Sequence, residues 1–472
     1  MSASRNLDSC QKQIEKAVQD YDRHLSDLGI KGVFRTLQEV STMKDSKFAA
    51  QLSSSAEQIS SLLNDFVKKC PETSPPSWVQ ELAEFKEWRS PTPPSNTLWL
   101  TGPPGFGKSV LSAYVTGILS DFGAVAYFFC QDRTGLFEAQ QVIRTFVYQL
   151  SVLSQQVLST AQWILDKERS IRDRTANVRF LFEKLLSVAI RSIEDSKGPI
   201  FFIIDGLNEV PQGQLAEMFE LVQMLQSLPV DPPAPAVRIL LVSQPSHGIK
   251  FQGVTRIELT SSHNVSSVEQ YVKTTVPANL RNEFRKLKQS PERFFRDNFQ
   301  GMFLWVTTVL DYLISLDDPD DLKEILHKPP RGINQVYQKL LERLCGLNEY
   351  EIAWIKEIIL WSVMARRTLT SAEMKVAILL SRERFYRRKP SQLDVESTLD
   401  KAAPIIQRVK VKIKPLWLSS TILFGNLSLA KRMVQRGLRL NFSLILETPI
   451  ARLQLRAWPI SQAKTSNSFP IF

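Results

Sequence analysis

The order of apolar runs and helical patterns along this 472-residue chain predicts an α/β fold with a parallel sheet. Three apolar runs, a short one at 98–101 and longer ones at 199–209 and 238–245, lack polar–apolar alternation. Such stretches are typical of strands that are buried on both faces of a parallel sheet. Helical patterns at 110–119 and 212–228 follow the first and second runs, where parallel strands need crossover helices.

The first run leads directly into a glycine-rich octapeptide. It matches G-x-x-x-x-G-K-[ST] in full and consists of Gly102, Pro103, Pro104, Gly105, Phe106, Gly107, Lys108 and Ser109. Glycines let backbone N–H groups point at phosphate oxygens, Lys108 brings positive charge to the β- and γ-phosphates, and Ser109 is a Mg²⁺ ligand. A chance glycine-rich turn is the alternative, and the strand–loop–helix context disfavours it. We therefore predict a P-loop NTPase core that binds ATP or GTP with Mg²⁺.

The second run ends in the acidic residue Asp205, and Glu209 follows four residues later. Ligands of α/β folds lie beyond the carboxyl ends of the strands, so Asp205 is the candidate Walker B carboxylate that holds Mg²⁺ through water. Glu209 is the candidate catalytic residue that polarises the attacking water. For this segment by itself, the alternative is a core strand that ends in an Asx-capped turn.

The third run stops at a polar tip, where Ser243 and Gln244 precede Pro245. P-loop NTPases often place a side chain that senses the γ-phosphate at such a strand tip. Gln244 is therefore a second candidate catalytic residue, with Ser243 beside it.

Further motifs lie between residues 78 and 380. They comprise 99–105 (WLTGPPG), 126–130 (AYFFC), 142–150, 205–209 (DGLNE), 301–306 (GMFLWV), 337–341 and 367–377. Together they resemble the NACHT-type NTPases of the STAND class, especially the fungal set. The resemblance implies a cytoplasmic signalling switch with an N-terminal effector, a nucleotide-controlled core that forms homo-oligomers on activation, and a C-terminal sensor. It also implies ATP rather than GTP.

Three positions depart from the pattern of that family. Asn208 replaces the second Walker B aspartate, Gln244 replaces the sensor arginine of "TSRP", and the "HxSxxxFL" segment is not found after Ile413. The loop that binds phosphate is unchanged. These departures predict intact nucleotide binding with slow hydrolysis or none.

Shifts in composition predict six segments. They are a helical N-terminal region (1–72), a linker with a short helix (73–96), the P-loop core (97–262), a helical domain (263–345), a winged-helix-like region (346–413) and a basic tail (414–472). Apolar residues at helical spacing in the N-terminal region favour a helix-pairing face for a protein partner over a membrane-binding face. A further amphipathic helix is predicted from Trp78 to Trp88.

The C-terminal fifth of the chain carries the excess charge. Residues 382–472 hold 17 Lys and Arg against 5 Asp and Glu, which accounts for the whole net charge of +11. We expect a surface for a protein partner there, and nucleic acid is disfavoured because aromatic residues are sparse. Residues 415–441 resemble a degenerate ankyrin repeat with Trp417 in place of histidine, and one repeat cannot bury its own face.

Overall composition, at 43% hydrophobic and 23% charged residues, is ordinary for a globular protein. No apolar run is long enough for a membrane span, and the cysteines and histidines lack disulfide or metal spacing. These features predict a cytoplasmic protein. Besides a slow ATPase switch, the open function classes are a nucleotide-binding scaffold without hydrolysis and a nucleic-acid-binding protein. A small-molecule phosphotransferase is disfavoured by the long helical part after Gln244.

Overall fold

The computed structural model describes residues 52–53, 55–70, 75–193, 198–228, 235–245, 251–316 and 318–344, together with short stretches between 355 and 419. The chain divides into two compact units. One comprises Met1–Ile352 with Ala365–Arg367, and the other comprises Ala353–Met364 with Thr368–Phe472.

Five parallel strands form the sheet of the first unit, in the order β2–β3–β4–β1–β5. They are β1 Thr97–Thr101, β2 Ala124–Phe129, β3 Ile200–Asp205, β4 Val237–Ser243 and β5 Thr255–Glu258. β1, β3 and β4 are buried along their whole length, which confirms the predicted fold class. Since β4 lies between β1 and β3, the three predicted site segments leave the sheet side by side at one edge.

β5 is the strand that the sequence pattern did not indicate. It lies at the edge of the sheet, pairs with β1, and buries Ile257 alone among its four residues. A run this short with a single buried apolar residue carries too little periodicity to be recognised.

Helices pack on the sheet and on one another. Those of the core are α1 Ala56–Lys69, α2 Ala83–Arg89, α3 Lys108–Leu119, α4 Ala139–Leu153, α5 Gln155–Lys167, α6 Arg169–Arg172, α7 Val178–Leu181, α8 Ser187–Arg191 and α9 Leu215–Gln226. A π-helical stretch, Phe182–Leu186, joins α7 to α8. α3 and α9 confirm the two predicted crossover helices.

Helix α1 belongs to the predicted N-terminal region, yet it is part of the packed core. Its buried Ile59, Leu63 and Val67 recur at helical spacing, and the helix packs against α3 and β2. The Phe66 ring lies 5.1 Å from that of Phe129 on β2. Each fully buried aliphatic side chain of this kind stabilises the packing by about 1.5–3 kcal/mol. The predicted helices at 8–51 lie outside the described residues.

The prediction of one helix from Trp78 to Trp88 is wrong. A 3₁₀ helix, Ser77–Glu81, is separated from α2 by the extended residue Leu82. On a continuous helix Val79 and Phe85, six residues apart, would point in directions about 120° apart around the helix axis. The break turns both side chains, and that of Trp88, into the core.

Helices follow β5 within the predicted helical domain at 263–345, of which the structure describes residues up to 344 except 317. They are α10 Ser261–Thr275, α11 Ala278–Lys286, α12 Pro291–Asn298, α13 Phe303–Ile314, α14 Pro319–His327 and α15 Gly332–Leu344. Trp305 on α13 is buried, and its indole N–H donates to the Pro330 carbonyl at 3.0 Å. Among the described residues, no helix has the length and apolar character that crossing a membrane requires.

The second unit contains a small antiparallel sheet of β6 Leu369–Thr370, β7 Ile406–Lys410 and β8 Pro415–Ser419, in the order β6–β8–β7. The winged-helix-like region at 346–413 stays a prediction. Residues Pro415–Ser419 form a strand, whereas an ankyrin-like repeat would begin a helix there. Pairing of Trp417 with Leu369 on one side and Arg408 on the other favours the extended form. The remainder of the ankyrin-like motif lies outside the described residues.

Candidate functional site

The octapeptide 102–109 connects β1 to α3 in a tight loop. Gly105 and Gly107 have φ angles of +79° and +82°, a conformation that would strain a residue with a side chain. Helix α3 begins at Lys108, so the N–H groups of its first turn, which have no acceptor within the helix, are at the loop. The positive end of the helix dipole adds to the same place.

The Lys108 side chain curls back into this loop. Its ammonium group donates to the carbonyl oxygens of Gly102 at 2.9 Å and Pro103 at 2.8 Å. Burial lowers the Lys108 pKa to about 8, while the charges of Asp205 and Glu209 act to raise it. Lys108 is therefore a protonated, partly desolvated cation at pH 7, within electrostatic reach of both predicted carboxylates.

Asp205 ends β3 and is almost completely buried, with 3% of its surface exposed. Burial raises its pKa to about 6. A hydrogen bond from the Ser109 hydroxyl, the Lys108 charge and the Gly206 N–H act in the opposite direction. The structure thus joins the two predicted Mg²⁺ ligands, Ser109 and Asp205, directly to each other. A hydroxyl and a carboxylate oxygen are hard donors of the kind that Mg²⁺ prefers.

Glu209 is an exposed residue at the end of a 3₁₀ turn, Leu207–Glu209. Burial of its carboxyl, followed by repulsion from Asp205 and Asp132, raises its pKa to about 7, and Lys108 opposes this rise. The solvent that reaches this exposed residue limits the effect. The rise moves the pKa of Glu209 toward neutral pH, which is the direction that a general base requires.

Asp132 is a site residue that the sequence reasoning missed. It follows β2, which pairs with β3 so that Phe129 lies opposite Asp205. The Cys130 N–H continues this pairing with a 2.8 Å hydrogen bond to the Asp205 carbonyl. A charged residue just beyond the second strand was the available signal, because the carboxyl ends of neighbouring parallel strands share one edge of the sheet.

The tip of β4 is tied to its neighbours rather than free. The Ser243 hydroxyl accepts a 3.0 Å hydrogen bond from the Trp99 indole N–H on β1. The Gln244 backbone N–H donates to the Asn208 side-chain oxygen at 2.8 Å. Asn208, which departs from the family pattern, thus has a structural role: its side-chain oxygen is the acceptor that holds the tip of β4 beside Glu209. Gln244 itself is half-buried at the predicted place in the sheet.

A family profile matches the part of the chain that contains the P-loop. Residues 76–244 match the sequence profile of the family described as Nephrocystin 3, N-terminal, which is little more than a third of the chain. No curated protein matches the chain significantly. The strand order and the P-loop geometry confirm the predicted P-loop NTPase architecture, and the family match spans strands β1 to β4 of it.

Solved structures show only distant likeness. The Walker-type ATPase PABY2304 of Pyrococcus abyssi is 12% identical (70% of this chain, 90% of that chain, TM-score 0.29). CDC6P from Pyrobaculum aerophilum is 12% identical (81% and 94%, TM-score 0.31). The Aeropyrum pernix ORC1 protein, solved in complex with DNA, is 14% identical (79% and 97%, TM-score 0.32). TM-scores this low do not establish a common fold. The fold assignment therefore rests on the sheet order and the P-loop of the chain itself.

Proposed function

We propose that the chain binds ATP, or GTP, with Mg²⁺ at residues 102–109 and hydrolyses it slowly. The single observation that carries this proposal is the convergence of Lys108, Ser109, Asp205 and Glu209 at one edge of the sheet. Lys108 is within electrostatic reach of both carboxylates, and Ser109 is hydrogen-bonded to Asp205. These four groups come from two separate strand ends, and each has chemistry that hydrolysis of the phosphoanhydride bond between the β- and γ-phosphates needs.

The division of labour follows from the position of each group. Backbone N–H groups of the loop and of the first turn of α3 bind phosphate oxygens, and Lys108 neutralises their charge. Ser109 and Asp205 would hold Mg²⁺, which supplies Lewis-acid stabilisation of the phosphate charge. Glu209 orients the attacking water and accepts its proton, which its raised pKa favours.

Slow turnover is proposed because Gln244 has no positive charge to offer at the strand tip. A cation at the transferring phosphate accelerates related enzymes by about 10³-fold or more. The second candidate function, a scaffold that binds nucleotide without hydrolysis, rests on the same observation together with the uncharged Asn208 beside Glu209.

At a finer level, we propose a NACHT-type signalling switch in which nucleotide controls self-association. The packing of α1 supports this proposal. α1 is the last helix of the N-terminal region, and it lies directly on α3, the helix that begins at Lys108. A change at the phosphate site therefore has a short, packed route to the N-terminal region. The basic tail is proposed as a surface for a protein partner.

Nucleotide content and turnover, measured on one preparation, test this function. Acid-released nucleotide is quantified by ion-exchange chromatography, and phosphate release is followed with Mg²⁺ or with a chelator. We expect bound adenine or guanine nucleotide and slow Mg²⁺-dependent release. Bound nucleotide with no turnover would favour the scaffold, whereas a preparation that neither carries nor takes up nucleotide would contradict the proposal.

A further inference from the structure

The helices that follow the sheet make two hydrogen bonds to the backbone of the P-loop, and a third bond ties the side chain that makes one of them to the segment between α12 and α13. The Asn264 side-chain amide on α10 donates to the Phe106 carbonyl and to the Gly301 carbonyl, both at 3.0 Å. The Leu304 backbone N–H, in the first turn of α13, donates to the Gly105 carbonyl at 3.0 Å. We refer to Asn264, Gly301 and Leu304 as the P-loop clamp.

These bonds fix the directions of the N–H groups in the loop. A peptide unit is planar and trans, so its C=O and N–H point in opposite directions. The Gly105 carbonyl points at Leu304, so the N–H of Phe106, in the same peptide unit, points away from Leu304. The Phe106 carbonyl points at Asn264, so the N–H of Gly107 points away from Asn264. The P-loop clamp therefore holds the N–H groups of Phe106 and Gly107 pointing away from the helices, and backbone N–H groups of a P-loop are the groups that bind phosphate.

Packing shows that the P-loop clamp is built to hold one position. Asn264 is 7% exposed, and both hydrogens of its amide are satisfied. Gly301 has a φ of +84°, and a Cβ there would lie 2.5 Å from the Phe106 ring, so only glycine allows this close approach. The start of α10 is fixed by a capping box in which Thr260 and His263 bond each other's backbone.

We propose that Asn264 is a positioning residue for phosphate binding, so that docking of the helices after the sheet and nucleotide binding stabilise each other. This inference rests on the proposed function, because it assigns part of the nucleotide affinity to side chains that do not touch nucleotide. Without Asn264, part of the binding free energy orders the loop, and affinity falls. By reciprocity, nucleotide binding strengthens the P-loop clamp by the same factor.

The test uses the full chain and measures Mg²⁺-ATP affinity by calorimetry in three variants. Asn264→Ala removes the two donated bonds, and Asn264→Asp replaces the donor by a carboxylate that faces two carbonyl oxygens. Asn298→Ala is the matched control, since Asn298 also donates its side-chain amide to a helix carbonyl, that of Phe294 at 2.8 Å. Thermal melting without nucleotide reports the folding of each variant.

We expect ATP affinity to fall about tenfold in Asn264→Ala, the equivalent of losing one net hydrogen bond, and further in Asn264→Asp. Asn298→Ala should stay within about twofold of the wild type. A purely structural role of Asn264 would instead lower the melting temperature and leave the affinity of the folded protein unchanged. Equal affinity in wild type and Asn264→Ala would overturn the inference, whereas a wild type that binds no ATP would overturn the proposed function itself.

Hydrogen exchange of the wild type tests the same coupling without a variant. Mg²⁺-ATP should slow exchange of the Leu304 amide, which donates to Gly105, more than that of amides in α14 of the same chain. ATP binding that leaves the Leu304 amide unchanged would also overturn the inference.

Discussion

Replacing Asp205 by asparagine should stabilise the protein in the absence of nucleotide and Mg²⁺. Burial raises the Asp205 pKa from 3.8 to about 6. Between these values the folded form holds a proton that the unfolded form has released, so stability falls as pH rises from about 4 to about 6 and stays lower above. The difference corresponds to about 3 kcal/mol at pH 7. Asparagine carries no charge but buries an additional N–H group, so we expect a net gain of about 1–2 kcal/mol.

The assay is urea unfolding of the wild type and Asp205→Asn at pH 7.5 and pH 4.5 with a chelator present. The variant should have the higher unfolding midpoint at pH 7.5, and its advantage should shrink at pH 4.5. Asp132→Asn is the control, because Asp132 also faces Glu209 but is exposed. Mg²⁺-ATP should reverse the order by stabilising the wild type. Lower stability of Asp205→Asn at pH 7.5, or a difference that does not depend on pH, would refute the reasoning.

Three further predictions concern turnover and the tail. Glu209→Gln should lower ATP turnover by about 100-fold or more and leave ATP affinity almost unchanged. The wild-type kcat/KM should rise with pH through about 7, because the carboxylate of Glu209 is the active form. Phosphate release measured as a function of pH checks both predictions. Gln244→Arg should accelerate a wild-type turnover that lies below about 10 s⁻¹, and a fast wild type, or a variant that binds ATP without any gain, would contradict the role given to this strand tip. Removing residues 415–472 should leave ATP affinity within a few-fold of the wild type and change self-association. Gel shifts at two salt concentrations should find no binding of nucleic acid to the full chain. Tight, salt-sensitive binding of nucleic acid that is lost with the tail would contradict a protein partner.

Motifs with a local physical cause could be predicted from the sequence. The P-loop, Asp205 and the three core strands follow from glycine spacing and continuous apolar runs, and each lies where the pattern placed it. Gln244 was placed correctly at a strand tip, but its backbone bond to Asn208 joins residues 36 positions apart and has no sequence signature.

Features that depend on long-range packing could not be predicted. Asp132 enters the site because β2 pairs with β3, about 70 residues later in the chain, and strand pairing of this kind is not a local property. The break at Leu82 serves the burial of Val79 and Phe85 in a core made by other segments. Asn264 reaches the P-loop across 158 residues of sequence. In each case the residue is visible in the sequence, but its packing or bonding partners lie in distant segments that only the folded chain brings together.

Calorimetric titration of the wild type and Lys108→Ala with Mg²⁺-ATP, and in parallel with Mg²⁺-GTP, tests the central claim most directly. Lys167→Ala, at an exposed position at the end of α5, is the matched control. We predict one saturable site in the wild type and in Lys167→Ala. Affinity should be at least about 100-fold weaker in Lys108→Ala, because the variant lacks the charge that the proposed function assigns to phosphate binding. All three proteins should melt at similar temperatures. Equal affinity in Lys108→Ala and the wild type would contradict nucleotide binding at this loop.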